Sequence, residues 1–469
     1  MVAGSYLMTV IATDYLIIGA GLSGMAFADS LIAESDADVV LVDRRHRPGG
    51  HWHDAYPFVR LHMPSANYGV NSRALGSDST DEAGLNAGLY ERATAAEICT
   101  YFHRVLEEHL LPSGQVRFFG MSDYLGQGSN GHEFVSRLTG EAITVRVRRK
   151  LVDATYLESS VPSTHTPSFG VDPGVRLTAP NDLVALAEPG TGYTVIGAGK
   201  TAMDACQWLL DNGVAPEMLR WIRARDAWLL DRAFYQPLDQ VATFIEGVSL
   251  QVEAAAQAHD VDDLFRRLEA CGQLVRLDPT VEPTMFHGAS VSAAELESLR
   301  RVENVVRKGR VVHLGADRIV LDEGSIPTDA GQVHVDCTAA GLKVATARPI
   351  FEPDRITLQQ VRQSQPSVNA ALLGFVEAAR DDDADKNRLC PPNPYPDAAV
   401  DWIAWSYIGQ RTEGVWSEEP DLQAWLGASR LNLARGFRDH LGDPRMQSAL
   451  GRLIANREAA ITNLAQLRP

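Results

Sequence analysis

Two glycine-containing bends constrain this chain more than any other feature. Residues 14–28 read DYLIIGAGLSGMAFA, an apolar run followed by Gly19, Gly21 and Gly24 and then helix-forming residues. In the G-x-G-x-x-G register each glycine has its own task. Gly19 permits the sharp strand-to-helix turn, Gly21 lacks the Cβ that would hold a pyrophosphate off the backbone, and Gly24 lets the helix lie close on the strand. Leu22 and Ser23 open that helix, whose free amides and positive dipole end suit phosphate. The next strand-like run ends at Asp43-Arg44, where a carboxylate can accept hydrogen bonds from ribose hydroxyls. Strand, turn, helix and second strand stand in the order a dinucleotide site requires.

The pattern returns at residues 193–206, YTVIGAGKTAMDAC, with Gly197 and Gly199 in register and Ala202 in the third place. The letters GAGKT resemble a P-loop, but Thr194 stands where the first P-loop glycine must be, which excludes that reading. Lys200 and Thr201 open this second helix. Residues 218–223 read as the second strand of the unit. Arg223 and Arg225 sit at its end, where an NAD site carries an acid. A guanidinium there suits a 2′-phosphate, so with Lys200 in the turn NADPH is the expected dinucleotide; solvated surface arginines are the alternative.

Composition narrows the partners. The 469 residues carry a formal net charge of −17, which argues against a nucleic-acid or anionic-membrane surface. Five scattered cysteines form no C-x-x-C pair, as expected in a reducing compartment, which argues against chemistry through a redox-active disulfide. The N-terminal residues lack a basic leader region and no apolar run is long enough to span a bilayer, so a cytoplasmic protein is expected. His51, His53 and His62 cluster around Trp52 without metal-ligand spacing and read as groups lining a ring-shaped ligand.

Between the motifs, Thr94 and Glu97 form a capping box for a helix ending near Pro112 and Gly114, and a strand follows at 115–119, including Val116. Alternating runs across a turn at Gly140 predict an antiparallel hairpin, and residues 150–156 a buried strand ending at a small-residue corner containing Ala154. Residues 238–305 read as a mostly helical insertion, with a second capping box at Ser292 and Glu295. Strands resume after Arg310 and end in a matching corner before Ala340 and Gly341. A helix is expected over 366–379, a solvated acidic loop over 381–385, a proline linker over 391–396 and a helical cover from Ala398.

Residues 14–345 resemble the flavin-dependent monooxygenases that carry two dinucleotide-binding units, the class B enzymes. The likeness rests on Gly19/Gly21/Gly24 with Asp43, the GG-x-W element Gly49-Gly50-x-Trp52, Gly197/Gly199/Ala202, and the corners near Ala154 and Ala339. It implies an α/β protein of two Rossmann-like dinucleotide-binding domains, for FAD and NADPH, with an antiparallel meander and a helical C-terminal segment. The FAD-binding part would be residues 1–158 and the NADPH-binding part 159–335, with 336–469 returning to the first. Gly50, His51, Trp52 and His62 would lie by the flavin, and Asn67, with His62, would be the catalytic candidate; Asn71 is the alternative to Asn67. The activity implied is insertion of one atom of O2 into a small-molecule nucleophile. An amine or thioether is expected rather than a ketone, because residues 169–176 lack the histidine of the F-x-G-x-x-x-H fingerprint. The alternative is an FAD-dependent NAD(P)H oxidoreductase that inserts no oxygen. A homodimer is the candidate assembly, with neither nucleic acid nor membrane as partner.

Overall fold

The computed structural model describes residues 9–157, 159–341, 345–363 and 365–468. The sequence readings at residues 1–8 and at Pro469 lie outside them.

The first sheet is built on Thr9–Ile18, whose residues Tyr15, Leu16 and Ile17 are buried. It pairs in parallel with Val39–Val42 on one side and with the long strand Ala142–Asp153 on the other; Val116–Phe119 extends the sheet beyond Val39–Val42. The 12 residues of Ala142–Asp153 serve two layers. Its first half carries the antiparallel strands Gly131–Ser136 and Ser122–Gly128, the expected meander, while its last residues pair with Arg355–Thr357. The chain thus returns to this sheet after building a second one.

That second sheet is wholly parallel, in the order Val305–Val306, Leu219–Ile222, Tyr193–Ile196, Val333–Asp336, Arg176–Thr178. A smaller sheet of Gly324–Pro327, Arg318–Leu321, Val311–Leu314 and Gly170–Val171 lies beside it. Four-residue apolar strands such as VVLV and YTVI, buried at every position, are what a parallel sheet covered on both faces needs.

Both capping boxes form as the sequence predicts, at Thr94/Glu97 and Ser292/Glu295. The helix Pro366–Ala379 also forms, but it is buried nearly all round, packed on Leu22–Ala33, where Gly374 leaves room for the Phe27 carbonyl. The insertion is mostly helical, as read, and also holds a strand, Met285–Val291, paired in parallel with Ala227–Asp231. Two readings need correction. The acidic stretch is not a solvated loop: Asp382 caps a helix, Asp383–Leu389, and Asp383 pairs with the buried Lys150. The proline segment is packed rather than a free linker, with Asn393 buried and bonded to the Gln360 and Trp405 carbonyls at 2.7 and 3.0 Å. The tail supplies Asp401–Trp416, Pro420–Ala428 and Pro444–Leu467, the last lying along Val241–Gln257 of the insertion. Among the described residues no helix is long and apolar enough to cross a membrane.

Candidate dinucleotide-binding site

The first bend leaves the carboxyl end of Thr9–Ile18. Gly19 has φ +101°, and a Cβ built on Gly24 would stand 1.9 Å from the Gly19 carbonyl oxygen, so the third position admits glycine only. Gly21 offers no side-chain cap, which leaves the first helical amides, Leu22 and Ser23, open. Gly49 and Gly50, both at positive φ, bring the GG-x-W element onto this bend: the Gly49 amide donates to the Ala20 carbonyl (2.9 Å), and a Cβ on Gly50 would meet Gly21 Cα at 3.0 Å. Asp43 is buried, its two oxygens accepting from the Ala20 and Arg45 amides at 2.6 and 2.7 Å. Arg44 beside it is exposed, and Val116 lies buried in the neighbouring strand.

Beneath the bend sits the corner Asp153-Ala154-Thr155. Asp153 Oδ1 accepts from the Thr155 amide and hydroxyl at 2.9 and 2.7 Å, and Ala154 and Thr155 pack on Gly19. The second unit repeats this corner. Asp336 Oδ1 accepts from the Thr338 amide and hydroxyl at 2.9 and 2.6 Å, and Cys337 lies under Gly197, φ +137°. A Cβ on Gly199 would meet nothing within 4 Å, so the second bend opens onto free space, with Lys200 and Thr201 following it uncapped. Ala340 and Gly341 lie exposed just beyond the second corner, where Gly341 bridges to Ser160.

Side chains link the two bends. Tyr56, close after Trp52, donates to Asp204 Oδ2 at 2.7 Å, and Asp204 also holds Lys200 of the second bend. Phe58 stacks on Trp208 of the same helix, with 5.0 Å between centroids. His62 faces this group. Burial, reinforced by the positive charge of Lys200, pushes its pKa down to about 4, so at neutral pH it is an uncharged imidazole. His51 is likewise held down to about 4, by burial and then by Arg45, and lies against Trp52.

Trp52 donates its indole N–H to the Tyr68 hydroxyl at 2.7 Å. Between them in sequence, Asn67 Nδ2 donates to the Arg430 carbonyl at 3.3 Å, which fixes the amide orientation and leaves Asn67 Oδ1 a buried acceptor without a donor. Asn71 Oδ1, the alternative, accepts from the Ser429 hydroxyl.

Arg223 and Arg225 part company. Arg223 is buried over the Trp221 ring, whose indole N–H donates to the Gly197 carbonyl at 2.7 Å; its ion-pair partner is Asp226, at 3.1 Å. Arg225 turns away to a bidentate pair with Asp397 of the tail, at 3.1 and 2.8 Å.

Several residues of this neighbourhood escape a sequence reading. The Lys200/Asp204 spacing of four was a legible signal. Arg232, fully buried, carries none, yet it donates to the His62 carbonyl (3.0 Å) and pairs with Glu295 (2.5 Å), which also holds Arg92 at 3.2 Å. Arg430 is equally silent, and donates four hydrogen bonds of 2.7–3.1 Å to the carbonyls of Ala66, Tyr68 and Val70.

The family described as NAD(P)-binding Rossmann-like domain matches residues 17–72. Uncharacterized proteins of Mycobacterium tuberculosis (Rv2000) and Mycobacterium bovis (Mb2023) are each 49% identical over 424 residues, 90% of this chain and 78% of theirs. Among solved structures, an oxidized steroid monooxygenase bound to NADP matches with TM-score 0.50 and 13% identity, over 97% of this chain and 98% of that one. A polycyclic ketone monooxygenase from the thermophilic fungus Thermothelomyces thermophila matches with TM-score 0.50 and 14% identity, over 99% and 89%. At these identities the likeness is one of fold, and it bears out the α/β architecture and the class B resemblance read from the sequence.

Proposed function

This chain belongs to the family of the Mycobacterium tuberculosis protein Rv2000, and from its geometry we propose that it is an FAD-dependent, NADPH-driven monooxygenase acting on a small-molecule nucleophile. The observation that carries the reading is the repeated device: two glycine bends, each seated on an Asp-x-Thr corner, joined through Tyr56, Asp204 and Lys200. One bend alone would bind one dinucleotide; two linked in this way would serve a hydride donor and a hydride acceptor.

FAD, when bound, supplies the acceptance of hydride and the activation of O2. The chain's residues hold and shield it. The open amides of Leu22 and Ser23 and the bare face of Gly21 suit its pyrophosphate, with Asp43 toward the ribose and Gly50, His51 and Trp52 along the ring. Gly199, Lys200 and Thr201 would take the NADPH pyrophosphate, and Arg223 lies over Trp221, whose indole donates to Gly197 of that bend. Asn67 Oδ1 lacks a donor, which a ligand N–H would supply. His62, kept neutral, can hydrogen-bond without adding charge. An amine or thioether is the expected oxygen acceptor: residues 169–176 lack the fingerprint histidine, and there Phe169 is buried while Gly170–Val171 form an exposed strand.

The test is to purify the chain, record its flavin spectrum, and follow NADPH oxidation, O2 uptake and transfer of labelled oxygen from ¹⁸O2 into a thioether. Labelled sulfoxide matching NADPH consumed supports the proposal. NADPH oxidation yielding hydrogen peroxide alone turns it into an oxidase or reductase, and a chain that takes up no flavin ends it.

A further inference from the structure

A cavity of about 100 Å³ lies beside Asn67, where residues 66–78, 237–238 and 430–435 meet. Three stretches far apart in sequence converge there, and among the described residues the charges they bring form no ion pair. The hydrogen bonds of Arg430 all go to carbonyls, which are neutral acceptors. Arg435, at the exposed rim, stands near enough to disfavour the Arg430 charge further, after burial itself. Asp78 is on the same cavity and attracts Arg430 at a distance. Among the described residues none of these three makes an ion pair. A half-buried guanidinium that makes no ion pair leaves room for an external anion.

The backbone tells the same story. Only three non-glycine residues among those described have positive φ, and two of them, Asp78 (+56°) and Leu238 (+57°), line this cavity. A leucine held in that conformation is strained, and strain of this kind persists where the surroundings over-determine it, commonly at ligand sites.

The geometry points to a binding site for a small amino acid, its carboxylate taken by Arg435 and the positive field of Arg430, its ammonium by Asp78, and its side chain lying toward Asn67. This rests on the monooxygenase reading and names its substrate class: an amino acid whose side chain ends in a thioether or amine. For a thioether the sulfur takes one oxygen atom of O2 to become a sulfoxide, the other leaves as water, and NADPH with one proton supplies the two electrons.

Calorimetric titration of the holoenzyme tests the site without turnover. The probes are L-methionine and its two truncations, methylthio-propylamine, which lacks the carboxylate, and methylthio-butanoate, which lacks the amine. Both side chains to be changed are exposed, and asparagine tolerates the backbone of Asp78, so Arg435→Gln and Asp78→Asn are expected to fold. Arg435→Gln is expected to weaken methionine and methylthio-butanoate roughly tenfold, the scale of one charge-assisted hydrogen bond, and to leave methylthio-propylamine unchanged. Asp78→Asn is expected to weaken methionine and methylthio-propylamine and to spare methylthio-butanoate. Absence of methionine binding, or equal effects of either substitution on all three probes, overturns the assignment. Flavin content and NADPH oxidation of the same samples report separately on the parent reading: a colourless chain that still discriminates the probes as described retains the site and loses the monooxygenase.

Discussion

Gly24 and Gly199 occupy corresponding bends but are glycines for different reasons. At Gly24 a methyl group would collide with the Gly19 carbonyl, whereas at Gly199 it would enter open space. Gly24→Ala is therefore expected to cost about 2–3 kcal/mol of stability through overpacking, visible as a lowered thermal midpoint and reduced flavin content. Gly199→Ala, with φ −88°, is expected to leave the midpoint unmoved and to raise the NADPH Michaelis constant. If both substitutions lower stability alike, the second bend is no approach path for a ligand. The titratable residues add a pH dependence. His62 and His51 have folded pKa values near 4, below the ordinary 6.5, so the unfolded chain binds more protons between these limits. Stability from this source is complete above about pH 6.5 and falls as pH drops toward 4, at about 1.4 kcal/mol per pH unit for each histidine. Glu295, where burial is outweighed by Lys200, Arg232 and Arg92, sits at about 2, so its contribution is lost only below the ordinary carboxylate range. A His62→Gln variant should show a shallower loss of stability between pH 6.5 and 4, measured by urea unfolding across that range.

Elements formed by local signals were the ones legible in the sequence. The bends, both capping boxes and the hairpin at Gly140 are specified by residues a few positions apart. The helix Asp383–Leu389 is not, because its charges are matched by Lys150 more than 200 residues earlier, and an acidic run without its partner looks like a solvated loop. Met285–Val291 was equally hidden, since a two-stranded parallel ladder depends on its distant partner Ala227–Asp231. The same distance hides the anchor of the Asn67 loop. Asn67 was named from resemblance, but what fixes it is Arg430, whose guanidinium lies on the carbonyls of Ala66, Tyr68 and Val70. Arg430→Met leaves those carbonyls without donors and is expected to cost about 3 kcal/mol. Amide hydrogen exchange should then quicken over residues 65–71 while the strand Thr9–Ile18 keeps its protection; uniform acceleration across the chain would mean that Arg430 supports the fold at large.

At the scale of the whole molecule the question is how the two sheets come to be set against each other. Each sheet ends in its own bend and corner, and nothing in either motif says how the two are set against each other. The setting comes from the stretch after Trp52: Tyr56 on Asp204, Phe58 on Trp208, and the Asp54 carbonyl accepting from Ser163 and Asn181 at 2.6 and 3.1 Å. Lys200 is thus held by a residue that is itself held by the first unit, so the second bend is organised from outside. Tyr56→Phe removes one hydrogen bond and keeps the ring against Phe58. Losing a bond of about 1 kcal/mol on the Lys200 partner should raise the NADPH Michaelis constant about fivefold. Flavin content and thermal midpoint should barely move, because the first bend and its corner make no use of that hydroxyl. Should Tyr56→Phe release flavin while NADPH affinity stays fixed, the hydroxyl serves the first dinucleotide and the coupling runs the other way.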